Sequence, residues 1–576
     1  MTDHEPRDER AQFDGGAAAA GEQPDGDKPA QQPYGQVPQQ PYGQAPQQPD
    51  GQAPQLPYQP PAYGQPTPAA PGSSMPFGTA DILAAGRPQA PKRRLAPIVT
   101  SVAVVLAIVL GGGAFTAMKL LASSGSQPDK WAPANSIAFA KLDLDPSASA
   151  KVAAWEFEQK FPQAPKIANA DQLKDGLLSA AFKDADQIDY ATDVKPWLGD
   201  RVAMAVFLDA SGKPEPIYIL QVKNDAQAKA GLNKIIAAAG VSTPTSGDVT
   251  AFSIQGGYAV LGENQTVVDD AIAQAKKADI STNANYTSDI AQLKSDRVVT
   301  TWWDLGATLK AVSSDLPGQA SALLLSGGLT GLPDMTKAGR FVMGLRVQPT
   351  YVEMQGRVLG SSASSQLKDG DAGTALGNLP GGTVAGVALA NPEQLVKTEL
   401  DQLKKGLAGT SMQTEFDQLG AQLGVSIPGD IENLLGSQLA VGVDALPANF
   451  QQLGQTFITA MTHPDDLAKA KQTAQILLSN LGPAAGDALK ISTQGQLLVG
   501  TDDPKVASGK LSESPAYRAA LDGMPSQAVA AGYVDLSSII AAEPDAPSSL
   551  APLQSIGFYY GNDSTSPVFS VRLTVK

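Results

Sequence analysis

Apolar positions are sparse and aperiodic up to about residue 91, form one uncharged run between Leu95 and Met118, and from about residue 127 alternate with polar ones at strand and helix periods. The run includes Val102, Val104, Val105, Leu106, Ile108, Val109, Leu110 and Phe115. About 20 residues at 1.5 Å each cross a hydrocarbon core of ~30 Å, so the pattern predicts a transmembrane helix over 95–118. Lys92, Arg93 and Arg94 precede it and only Lys119 and Lys130 follow closely, which puts the N-terminus in the cytoplasm and the rest outside. A cleaved signal peptide is the competing account, but its apolar region would be shorter and nearer the start. Gly111, Gly112 and Gly113 suit either close approach by a second helix or a span with no partner.

Beyond the span, Leu232, Ile235, Ile236 and Ala239 fall at helical spacing and form one apolar face, as do Ala470, Ala474, Leu477 and Leu478. Phe341 to Val347, a turn at Pro349 and Tyr351 to Val358 predict a β-hairpin, and Phe558 to Tyr560, Asn562-Asp563 and Val568 to Val575 predict another. Strands joined by short turns favour an antiparallel α+β arrangement over a doubly wound sheet.

The same order of segments occurs twice. Asp193 to Val206 matches Asp430 to Val443, each a short helix, a Gly stop and a strand. Pro133 to Leu142 corresponds to Pro380 to Leu389, Ser253 to Val260 to Ser492 to Val499, and Tyr286 and Asp304-Leu305 to Tyr517 and Asp535-Leu536. The expectation is two tandem duplicated modules of mainly antiparallel sheet with packed helices, over 127–360 and 375–576, joined by the Gly/Ser-rich stretch from Gly360 to Gly373. The short linker and the aromatic pairs predict that the modules pack face to face rather than hang as beads.

The tail, 1–91, repeats an octapeptide beginning Gln31-Gln32-Pro33-Tyr34-Gly35-Gln36-Val37-Pro38, a composition with too little apolar surface to offset chain entropy, and so is expected to be disordered. Tyr34, Tyr42, Tyr58 and Tyr63 are either docking residues for a cytoplasmic protein partner or parts of a solvated spacer. With 57 acidic against 42 basic residues and a net charge of −15, the chain has no concentrated basic surface for nucleic acid. It has no cysteine, so disulfides, thiolate metal sites and thiol nucleophiles are excluded.

Catalytic chemistry finds little to work with. His4 lies in the tail, and His463, in Thr462-His463-Pro464-Asp465-Asp466, reads as part of a helix start with Pro464 at the first helical position. Asp304 and Asp535 read as helix N-caps rather than a carboxylate pair. Ser365-Gln366-Leu367-Lys368 fits a Ser-x-x-Lys start but lacks the companion elements, and Gly327 to Gly331 lacks a phosphate loop's Lys. Asp184, Asp186 and Asp189 lack EF-hand spacing and read as a solvated helix end rather than a calcium site. No catalytic, cofactor-binding or metal residue is therefore assigned. Trp302 and Trp303, adjacent on an apparent strand, must point to opposite faces; either helices cover both, or one is exposed as an interface anchor.

The Pro/Gln/Tyr tail, the single span, the opening strand Ser136 to Asp143 and the strand start Trp197-Leu198-Gly199-Asp200 together resemble an uncharacterised actinobacterial single-pass membrane family, domain-of-unknown-function family 3352. The resemblance implies a bacterial envelope location and carries no activity. The expected function is a non-enzymatic, membrane-anchored extracytoplasmic binding or scaffold protein of the cell envelope. A His-free envelope hydrolase or transferase and a carrier of an apolar lipid ligand are the alternatives.

Overall fold

Alternating burial along each strand, as in the BBiBiBiBiBi pattern of Leu198–Leu208, shows how the sequence builds this fold: every second side chain enters a core and the intervening ones meet the other face. The structure is a computed structural model that describes residues 126–161, 175, 187–239, 248–313, 339–361, 370–409, 411–445, 458–480, 489–502, 509–543, 546–563 and 566–576. The tail 1–91 and the segment 95–118 lie outside the described residues, among which no helix is long and apolar enough to cross a membrane.

The first half of the chain supplies β1 (Ser136–Asp143), β2 (Leu198–Leu208), β3 (Pro214–Val222), β4 (Ala251–Gln255), β5 (Tyr258–Gly262), β6 (Arg297–Asp304), β7 (Arg340–Gln348) and β8 (Tyr351–Leu359). The second half supplies β9 (Ala385–Ala390), β10 (Gln438–Val443), β11 (Ile458–Thr462), β12 (Lys490–Gln494), β13 (Leu497–Thr501), β14 (Gln527–Asp535), β15 (Leu553–Asn562) and β16 (Pro567–Val575). They form one sheet in the order β12-β13-β11-β10-β9-β14-β15-β16-β8-β7-β6-β1-β2-β3-β5-β4, with every neighbouring pair antiparallel.

This corrects the expectation of two tandem modules. The halves are not separate bodies packed face to face; β8 and β16 join edge to edge from Tyr351↔Thr574 to Arg357↔Val568. What repeats is strand order within a single sheet: inward from the free edges, β4-β5-β3-β2-β1-β6-β7-β8 has the same order as β12-β13-β11-β10-β9-β14-β15-β16. The physical reason is backbone hydrogen bonding. β8 and β16 are the outer strands of the two predicted hairpins, each nine residues long, and each would otherwise leave a row of unpaired N–H and C=O groups.

Helices lie on both faces. On one, Phe139, Phe207, Ile217, Ile219, Tyr258 and Trp302 are buried with Val268, Ala271 and Ile272 of the helix Gln265–Lys277. On the other, Ala259 and Leu261 pack with Ala228 and Leu232 of the predicted amphipathic helix Asp225–Ala239. In the second half Ala372, Ala375 and Leu376 of the helix Ala372–Gly377 cover Ala388, Ala440 and Ala531, while Ala470 and Ala474 of the helix Leu467–Asn480 pack on Leu498.

Candidate functional site

The β7–β8 hairpin turns through Pro349 and Thr350, and its register sets Arg346 opposite Glu353. The β8–β16 register sets Glu353 opposite Arg572. Residues directly opposite in a ladder share a face, so Arg346, Glu353 and Arg572 stand in one row across the seam between the halves. Arg572 Nη2 donates to Glu353 Oε1 at 2.8 Å, Arg346 Nε to Oε2 at 2.7 Å, and Ser570 Oγ to Oε1 at 3.2 Å. Lys294, from the turn after the helix Ala284–Ala291, brings Nζ to 3.4 Å from both oxygens. Tyr351 completes the cluster: its hydroxyl accepts from Arg346 Nη2 at 2.7 Å, and the Arg572 guanidinium carbon lies 4.3 Å from its ring centroid. Arg572 also donates to the Ala519 carbonyl at 3.1 Å and reaches Asp522 at 3.3 Å.

Glu353 and Arg572 are 0% and 2% exposed. Burial alone would raise the Glu353 pKa, but the surrounding Arg572, Arg346 and Lys294 outweigh it and hold the carboxyl down at about 2. Lys294 is displaced downward, first by burial and then by the like charges of Arg346 and Arg572, against the pull of Glu353. Arg297, whose Nη1 donates to the carbonyls of Leu293 at 3.1 Å and Lys294 at 2.6 Å, is lowered by burial. Lys294, Arg297 and Arg346, together with Leu293, Gly344 and Gln355, line a small cleft beside the seam. The arrangement is electrostatic: a register-fixing ion pair between the halves. Sequence reasoning missed it. The hairpin pattern around Pro349 carried the signal for Arg346 beside Glu353, but not for Arg572.

The predicted interface residues separate. Trp302 is buried, and its Nε1 donates to Asp289 at 2.8 Å, a carboxylate that also pairs with Arg340 at 2.6 Å. Trp303 is 42% exposed on the opposite face, its Nε1 donating to Thr308 at 2.7 Å. Following the ladders across the sheet puts Phe558 and Val387, 39% and 52% exposed, on the same face as Trp303. Tyr34, Tyr42, Tyr58 and Tyr63 lie outside the described residues, as do Asp184, Asp186, Ser365 to Lys368 and Gly327 to Gly331.

Asp304 and Asp535 act as caps, accepting from the backbone N–H of Ala307 at 2.8 Å and of Ser538 at 3.0 Å. Asp189 accepts from Thr192 N at 2.8 Å in a short helical turn. His463 corrects one detail: the helix begins at Leu467 and Asp466 is its cap, accepting from Lys469 N at 2.9 Å, so Pro464 lies before the helix. His463 Nδ1 is 3.3 Å from Ser437 Oγ, a contact held by the backbone bridge between Gly436 and His463. Among the described residues no group of three or more carboxylate or histidine side chains is placed to hold a metal.

Residues 99–480 match the family described as protein of unknown function (DUF3352). No curated protein and no solved structure matches the chain.

Proposed function

Because the chain belongs to the DUF3352 family and that family brings no assigned activity, we propose its function from its own residues: a non-enzymatic binding or scaffold protein of the bacterial cell envelope. In this reading it is an actinobacterial single-pass membrane protein. Residues 95–118 anchor it, the tail 1–91 lies in the cytoplasm, and the sheet stands outside and engages an envelope component. The observation that carries the reading is Trp303, 42% exposed beside its fully packed neighbour Trp302. Its indole N–H is already satisfied by Thr308, so the ring offers mainly apolar area. A half-exposed tryptophan on a strand within a continuous sheet has the character of an interface anchor: large, rigid and low in conformational entropy.

The test compares the full chain with Trp303→Ala for retention of components from solubilised envelope fractions. A component held by the wild type and lost from the variant, with the variant's melting temperature unchanged, supports the reading. Identical retained components sink it. Topology is checked separately: protease added to intact protoplasts should remove residues after Lys119 and spare the tail, and the reverse pattern would overturn the anchor.

A further inference from the structure

We propose that the cavity between the helices Pro392–Leu407 and Ser411–Leu423 binds a short aliphatic carboxylate, its oxygens on Lys404 and Ser426 and its chain on Phe416, Val425 and Ile427. This stands apart from the Trp303 reading and from the ion pair at the seam.

The cavity has a volume of about 210 Å³. One water takes ~30 Å³ and drug-sized ligands fill pockets of ~300–1,000 Å³, so the space suits a small organic molecule rather than a lone water or a whole lipid. Its walls are set by the chain itself. Val425 N–H donates to the Gly420 carbonyl at 2.9 Å, and a Cβ on Gly420 would come within 2.7 Å of the Val425 carbonyl oxygen, so glycine lets the second helix close on the segment that follows it. Ser426 N–H donates to Asp430 Oδ2 at 2.7 Å, and Lys469 Nζ lies 2.7 Å from the other oxygen of that carboxylate.

In a chain with a net charge of −15, the residues lining this cavity include one cation and no carboxylate. Lys404 Nζ lies 5.7 Å from the Phe416 ring centroid, a contact that leaves its N–H groups without an acceptor. Among the described residues Lys404 has no ion-pair or hydrogen-bond partner, and neither does the Ser426 hydroxyl. Asp430, the carboxylate tied to this segment, is already compensated by Lys469. One ammonium and one hydroxyl match the single charge and two oxygens of a carboxylate, whereas a phosphate dianion would keep charge and acceptor oxygens unmet.

The apolar part of the ligand has a place as well. Val396, Leu400, Leu403 and Leu407 form a stripe along the first helix, yet none of them is buried, and Met412 and Leu419 of the second helix are exposed. Apolar packing around these helices is therefore incomplete. An aliphatic chain against Phe416, Val425 and Ile427 adds burial that the protein alone does not supply.

The experiment titrates the full chain, in detergent at fixed ionic strength, with hexanoate by calorimetry. Hexanol, which lacks the charge, and acetate, which lacks the chain, are the controls. Saturable hexanoate binding, tighter than either control and weakened roughly tenfold by Lys404→Met with the melting temperature of the free protein unchanged, supports the site. Phe416→Ala should also weaken hexanoate; if that variant fails to fold, Lys404→Met decides. Hexanol bound as tightly as hexanoate, or acetate bound as tightly, overturns the proposal. So does the absence of saturable hexanoate binding, or equal affinity in wild type and Lys404→Met.

Discussion

The two halves of the sheet share a strand order but fill their cores from opposite directions. In the first, the row Ala205–Phe139–Trp302–Val342 crosses β2, β1, β6 and β7 and supplies volume from the sheet itself. The corresponding row in the second is Gly442–Gly386–Tyr533–Gly557. There the covering segments descend instead: a Cβ on Gly386 or Gly442 would come within 2.8 or 2.9 Å of Leu379 Cδ1, and one on Gly557 within 2.5 Å of the Ala520 carbonyl oxygen. One motif survives in both. Tyr286 meets Trp302 edge-on at 5.8 Å, and Tyr517 meets Tyr533 at 5.4 Å. A strand order is thus compatible with either source of core volume, provided total packing density is kept.

The largest way to break this comparison is to empty the first row. Phe139→Ala should cost about 3–5 kcal/mol by denaturant unfolding, because the neighbours cannot follow a truncated side chain into the space. A loss under 1 kcal/mol would mean that the side chains of this row do not set the core volume of the first half.

Acid should act next, at the seam that joins the halves. Glu353 has its carboxyl pKa lowered from 4.5 to about 2 in the fold, so the protein gains stability from it at pH above 4.5 and loses that contribution as pH falls toward 2. The amount is about 3 kcal/mol for the group. Unfolding curves between pH 5 and pH 2 should show it, and Glu353→Gln should flatten this acid limb while lowering stability at neutral pH.

Overfilling the second row is the smaller converse. Gly442→Ala should cost about 1–3 kcal/mol, since Leu379 and Thr383 must give way. Smallest of all are the caps: Asp304→Ala and Asp535→Ala should each cost about 1 kcal/mol, and a cycle combining them should be additive because they sit in different halves.

Short-range pattern made much of this molecule legible. Both terminal hairpins, the apolar faces of Asp225–Ala239 and Leu467–Asn480, and the caps at Asp304 and Asp535 follow from period, turn chemistry and side-chain reach over a few residues. Alternation likewise required Trp302 and Trp303 to face opposite ways, but only the placement of the helices decided that Trp303 is the exposed one. The matching order of segments pointed to a repeat, yet not to its form, and separate modules were the wrong inference.

The tertiary structure alone decided that β8 pairs with β16, because edge pairing is made by backbone groups that every residue carries and leaves no side-chain signature. From that one pairing comes the site. Arg346 and Glu353 were neighbours across a turn visible in the sequence, whereas Arg572 lies 219 residues from Glu353 and becomes its partner only when the second half's last strand closes the first half's open edge.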